Sequence, residues 1–199
     1  MTARSLTPMR PTLADLPRLG FPATATGLRA YQAAWNLGGA LTIDGILGPL
    51  TRAALVTSLT RHATGRGDIS DHFSAREFAC KCGGAYPWCA RVAVTRWQLR
   101  ALEQLRTAAG RPLPIVSGYR CTQHNRAVGG APNSQHRNGS ACDVPPMLTL
   151  AQVRALGVFS GIGYQSRTGL VVHVDTRHAA PSKNTTSGTT ARPTVWSYQ

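Results

Sequence analysis

The chain has 199 residues, 42% of them apolar and 15% charged, with a formal net charge of +14. That is enough apolar material for a packed core and excludes a wholly disordered chain, and no apolar run approaches the roughly 20 residues that a membrane helix needs. The charge is almost all arginine, spread from Arg4 to Arg192 with Lys81 and Lys183 as the only lysines. With no basic helix, zinc-finger spacing or interleaved aromatic stripe, this reads as a solvated basic surface, then as attraction to an anionic cell wall. Nucleic acid comes last.

Residues 1–20 hold three prolines and little pattern and read as a leader. They contain no apolar signal-peptide core and no cleavage site, so the expected product is made in the cytoplasm without a standard secretion signal. From Thr26 the pattern turns helical, with Leu28, Tyr31, Gln32 and Trp35 on one face and Thr24 or Thr26 as N-cap. Gly38-Gly39 stops that helix, Asp44-Gly45 is a turn, and Gly48-Pro49 leads into a second helix over Leu50–Leu59. Residues 21–60 thus form a small helical module of about forty residues, marginal as a core by itself. Residues 61–70 are polar and read as a linker.

The spacing of Val94, Trp97, Ala101, Leu102, Leu105 and Ala108 predicts a core helix over 92–109, ended by Gly110 and Pro112. Pro114–Ser117 reads as a short strand. Thr149 and Gln152 make a capping box for a helix over Leu150–Leu156. Leu170–Asp175 is a β-branched strand. The tail, 179–199, is rich in Ser, Thr and Pro but ends Val195-Trp196-Ser197-Tyr198, which either docks back or hangs free.

The acids are few: Asp15, Asp44, Asp68, Asp71, Glu77, Glu103, Asp143 and Asp175. In SQHRNGSACDV, Gly139 lets a loop bearing His136 turn into a strand bearing Asp143. Pro132 and Pro145-Pro146 argue against one helix carrying both. His173 lies inside an apolar strand, where a lone histidine is more often a satisfied core residue. Together, however, His136, Asp143 and His173 suit a zinc ion with one position open to water, a catalytic type of site. The five cysteines are odd in number. Disulfides among Cys80, Cys82, Cys89 and Cys121 are favoured over a four-thiolate zinc site, because C-x-C-x6-C is poor zinc-ribbon spacing. Cys142, next to Asp143 on its strand, faces the core as a free thiol.

Two resemblances give these motifs a context. LRAYQAAWNLGGALTIDGILGPLTRAAL, within residues 26–59, resembles the peptidoglycan-binding type 1 repeat, with Gln32 in the first helix and Asp44, Gly45, Gly48 and Thr51 in its loop pattern. Residues 73–175 resemble the zinc D-Ala-D-Ala carboxypeptidase/endopeptidase family, peptidase M15. The motif S-x-H-x-x-G-x-A-x-D is complete in Ser134, His136, Gly139, Ala141 and Asp143.

The resemblance implies His173 as third zinc ligand and puts Arg120, in SGYR, near the substrate. There Arg120 holds a substrate carboxylate, stabilises an oxyanion, or makes a structural ion pair. Ser134 hydrogen-bonds the peptide substrate or turns its loop. His124 and Asn125 are supporting or structural, and His178 is at the surface. The family's acidic residue three positions before the third ligand is Leu170 here. Elimination then leaves Asp175, beside His173 on the strand, as general base; its competing role is to orient a ligand imidazole or pair with Arg177 or Arg120. Asp71 and Glu77 are the other candidate bases.

The expected architecture is α+β: a small antiparallel sheet with flanking helices holding the zinc site over 71–178, preceded by the all-α wall-binding module. The expected protein is a monomeric, endolysin-like peptidoglycan peptidase, with peptidoglycan and anionic wall polymers as partners and neither nucleic acid nor membrane. A non-catalytic wall binder with a structural zinc is the alternative, and a nucleic-acid binder the remaining class.

Overall fold

The computed structural model describes residues 10–177 and 193–199. The segment expected as a leader is packed from its second half onward. A 3-10 turn over Leu13–Asp15, closed by a reciprocal Thr12–Asp15 cap, runs into α1 (Leu16–Leu19), where Leu16 and Leu19 are fully buried. Helix α2 (Ala25–Ala34) starts where the Thr24 hydroxyl accepts the Gly27 N–H, and it buries Leu28, Tyr31 and Gln32. Helix α3 (Pro49–Ala63) begins with proline at its first position and runs a turn beyond the expected Leu59, because nothing in the sequence breaks it before Thr64-Gly65.

The loop between α2 and α3 is organised around one buried amide. Gln32 Nε2 donates to Asp44 Oδ1 at 2.9 Å, to the Ile46 carbonyl at 3.2 Å and to Thr51 Oγ1 at 3.3 Å. Its Oε1 accepts the Gly45 N–H at 2.9 Å. The repeat-like residues therefore hold the loop's shape. Gln32→Ala strips these groups of partners and is expected to lower stability by about 2–3 kcal/mol, read as a shifted urea midpoint at unchanged slope.

Residues 61–70 are not a solvated linker. Asp68, Ile69 and Ser70 are buried. The Asp68 carboxylate accepts the Ala75 N–H at 2.8 Å and faces His62 Nδ1 at 3.1 Å. The Asn36 N–H donates to the Ile69 carbonyl. One hydrophobic core runs from Leu16 and Tyr31 through Ile69, Phe73 and Phe78 to Leu99, Val174 and Ile162. Two short helices carry too little apolar surface to stand apart, so they close against the rest of the chain.

Helix α4 (Arg96–Ala109) starts four residues later than expected, because the Thr95 hydroxyl caps it and Val92 instead pairs with Ala79. Gly110, at φ +64°, ends it. The expected strand at 114–117 is reduced to a single bridge between Ser117 and Asp143, since Pro114 has no N–H to give. Helix α5 (Thr122–Ala127) follows, then α6 (Leu150–Ala155) with its Thr149–Gln152 capping box.

The sheet comprises β1 (Ala141–Asp143), β2 (Gly161–Gln165), β3 (Val171–Asp175) and β4 (Thr194–Tyr198), in the order β1-β3-β2-β4. The first three are antiparallel, but β4 runs parallel to β2, so the sheet is mixed. The docked end settles the tail: Val195-Trp196-Ser197-Tyr198 is an edge strand. Alternation gives the sheet two faces. Cys142, Ile162 and Val174 join the core, and Gln98 of α4 donates to the Val174 carbonyl at 3.2 Å. The opposite face carries Asp143, His173, Asp175 and Trp196. Among the described residues no helix is long and apolar enough to cross a membrane.

Candidate metal centre

A 3-10 turn over Gln135–Asn138 holds His136, and Gly139 at φ +67° swings the chain into β1. A methyl on Gly139 would lie 2.6 Å from the Ala93 carbonyl carbon, so this close turn requires glycine. In the sheet register, Asp143 lies opposite His173. The outcome is a triad. Asp143 Oδ1 stands 2.8 Å from His173 Nδ1 and 3.2 Å from His136 Nε2, and the two nitrogens are 3.3 Å apart. Imidazole rings and carboxylate thus turn one ligand atom each toward a common point.

Each outer atom of the triad is anchored. His136 Nδ1–H donates to the Gly118 carbonyl at 2.7 Å, which leaves the Nε2 lone pair facing the triad. His173 Nε2 faces Asp175 Oδ2 at 3.3 Å. Asp143 Oδ2 is paired with Arg120 Nη2, and Arg120 Nε donates to Ser117 Oγ at 3.0 Å. These residues could hold a metal ion: two imidazoles with their outer nitrogens bonded and a carboxylate are a donor set that fits zinc. Burial works against the Asp143 charge, but the two histidines outweigh it and hold the carboxyl below its ordinary range. For His173, burial lowers the pKa and the bonds to Asp143 and Asp175 more than restore it, so the net shift is upward.

The triad sits on the floor of an open cleft of about 890 Å³. Ser134 and the 128–131 turn form one wall, and Asn125 Nδ2 steadies that wall by donating to the Gly130 and Ala131 carbonyls at 3.0 and 2.9 Å. Ser134 begins the His136 turn without a side-chain cap bond, so its hydroxyl is not consumed by the turn. His124 donates its backbone N–H to Cys121 Sγ and does not line the cleft. His178 lies outside the described residues.

Asp175 is not placed as a general base. It is fully buried on the far side of the His173 ring, away from the triad. Its carboxylate is gripped by Arg177, through Nε at 2.8 Å and Nη2. Burial raises its pKa, and Arg177 together with His173 more than compensates, lowering it from 3.8 to about 2. Its position beside His173 Nε2 suits orienting that imidazole. Asp71 pairs with Arg61, and Glu77 caps a 3-10 turn through the Ser74 N–H; neither lines the cleft.

Three cleft residues were not singled out as site residues from the sequence. Trp196 and Tyr198 share a face of β4 and form the far wall; the Trp196 ring lies 5.1 Å from that of His173. Arg177 lies over Trp196 at 5.3 Å. The signal was the two-residue spacing of the aromatics, together with glycines at 161 and 163 in the neighbouring strand. A methyl on Gly163 would lie 2.6 Å from Tyr198, and one on Gly161 would strike the Asp175 carboxylate. Both glycines make room on the cleft face.

No curated protein matches the chain. The peptidase M15 family matches residues 71–175, which include the triad, Arg120 and the cleft wall from 128 to 134. That stretch is more than half of the chain, and the protein belongs to the peptidase M15 family, a family of zinc metallopeptidases.

Proposed function

We propose that the protein is a zinc peptidase that hydrolyses a peptide bond in the stem peptides of peptidoglycan, of the D-Ala-D-Ala carboxypeptidase or endopeptidase type, and that it works as an endolysin. The observation that carries this reading is the convergence of His136 Nε2, Asp143 Oδ1 and His173 Nδ1 at the floor of an open cleft. Zinc held by these atoms supplies Lewis acidity and a water that ionises near neutral pH.

The chain's own residues do the rest. Arg120 fixes the Asp143 carboxylate and keeps its remaining guanidinium donors at the cleft, suited to a substrate carboxylate or a developing oxyanion. Burial raises the pKa of Tyr198, so its phenol stays protonated and serves as a hydrogen-bond donor. Among the described residues the cleft holds no carboxylate other than Asp143. Ser134 is assigned to the peptide backbone of the substrate, and the Trp196 face to its apolar atoms.

The repeat-like segment 26–59 is the proposed wall-binding surface, with Ile43, Ile46 and Leu50 at least half exposed around its loop. The net charge adds attraction to anionic wall polymers. The protein is proposed to act as a monomer, made in the cytoplasm and acting at the wall, with no role for nucleic acid or membrane.

Purified sacculi digested with the zinc-loaded full chain should release new amino groups, and mass spectrometry of the fragments identifies the bond. Chelation should stop the release. Sedimentation with sacculi and no release would identify a wall binder instead.

A further inference from the structure

Cys80, Cys82, Cys89 and Cys121 converge about as tightly as the triad, in a separate place. Their sulfurs all lie within 4.8 Å of one another, and Cys82 and Cys89 are 3.5 Å apart. The edges of a tetrahedron of sulfurs around zinc are about 3.8 Å, given a Zn–S bond of about 2.3 Å. A disulfide would bring two sulfurs to about 2.05 Å; the four thiols are unbridged. We propose that these four cysteines form a second metal site, a closed four-thiolate zinc centre that is structural and does not take part in hydrolysis.

Each sulfur accepts one backbone N–H at 3.4 Å: Cys80 from Cys121, Cys82 from Gly84, Cys89 from Arg91 and Cys121 from His124. Neutral thiols are poor acceptors, and four amides aimed at four sulfurs suit thiolates bound to a metal. The backbone is bent to achieve this. Gly83, Gly84 and the non-glycine Arg91 all have positive φ, at +61°, +90° and +67°. The ligands come from a turn, a loop and the N-cap of α5, which is why their spacing does not match a zinc ribbon.

The metal also supplies what the segment lacks. Between the single bridge partners Ala79 and Val92 the chain forms no helix or strand. Among the described residues, the apolar side chains besides cysteine that pack on this cluster are Tyr86 and Tyr119. That is too little to fix a loop of this length. Soft thiolates select zinc over magnesium or calcium, and four protein ligands leave no open position. Binding releases four protons from the thiols and leaves a complex of charge −2. Lys81 and Arg91 lie in the segment, and no Asp or Glu occurs between Glu77 and Glu103. Cys121 adjoins Arg120 and caps α5, whose Asn125 steadies the cleft wall. The centre therefore stiffens one side of the cleft.

Cobalt substitution of the full chain tests this. The expected result is two cobalt equivalents per chain, one of them giving an intense sulfur-to-cobalt charge-transfer band. His136→Ala should keep that band while losing one equivalent. Cys82→Ser should lose it. Should Cys82→Ser not fold, titrating native zinc-loaded wild type with a mercurial still decides: one zinc is released as four thiols react. Cobalt binding without the charge-transfer band would overturn the proposal. So would two disulfides found by counting thiols in the denatured, unreduced chain.

Discussion

His136→Ala is expected to lose one metal equivalent and to lower kcat/KM on a soluble stem peptide by about 10³-fold or more. A metal acting as Lewis acid supplies several kcal/mol at the transition state, and each 1.36 kcal/mol is a factor of ten. The geometry makes His136 hard to replace. It is buried, its Nδ1–H is held by the Gly118 carbonyl, and its Nε2 faces both other ligand atoms. Its backbone carbonyl also accepts the Arg120 N–H, so the turn itself stays anchored when the ring is removed. The variant should therefore fold. Zinc content by atomic absorption and peptide turnover should fall together. Normal zinc content with normal turnover would remove His136 from the site.

The triad was legible because its chemistry is local. The strand alternation, Gly139 and the short S-x-H-x-x-G-x-A-x-D stretch each constrain the same few residues, and the sheet register only had to bring Asp143 opposite His173. The helices over 25–34, 96–109 and 150–155 were legible for a similar reason, since threonine caps and the Gly110 stop lie next to the apolar pattern they bound. What the sequence did not disclose depends on distant partners. Residues 61–70 look polar, yet Asp68, Ile69 and Ser70 are buried, and the Asp68 and Ile69 carbonyls accept from Ser58 Oγ and from the Asn36 N–H, partners that local periodicity does not describe. The parallel pairing of β4 joins segments about thirty residues apart. The convergence of Cys121 on the Cys80–Cys89 loop is likewise long-range, and spacing statistics alone pointed away from it. The place of Asp175 was less legible for a subtler reason. Strand alternation correctly put it beside His173, but it could not say which ring nitrogen the carboxylate would meet.

That distinction sets the last prediction. Asp175→Asn is expected to weaken metal binding by about 10–100-fold, the usual effect of losing a hydrogen-bond partner of a ligand imidazole. With zinc in excess, kcat should recover to within a few fold of the wild type. A general base would behave in the opposite way, with zinc affinity intact and kcat down by about 10²–10⁴-fold. The pH dependence should separate the roles as well. Because the folded pKa is about 2 against an ordinary 3.8, Asp175 is ionised throughout the working range and adds no limb to the rate profile there. Its stabilising contribution is fully present above about pH 4 and is lost as pH falls toward 2; the Asn variant should lack that acid-side dependence. Gly161→Ala gives an independent check, since its methyl would strike the same carboxylate from the neighbouring strand without changing any titrating group. It should reproduce the weakened metal binding. A Gly161→Ala enzyme with unchanged zinc affinity, alongside an Asp175→Asn enzyme that holds zinc normally but turns over about a thousandfold more slowly, would return Asp175 to the reaction itself.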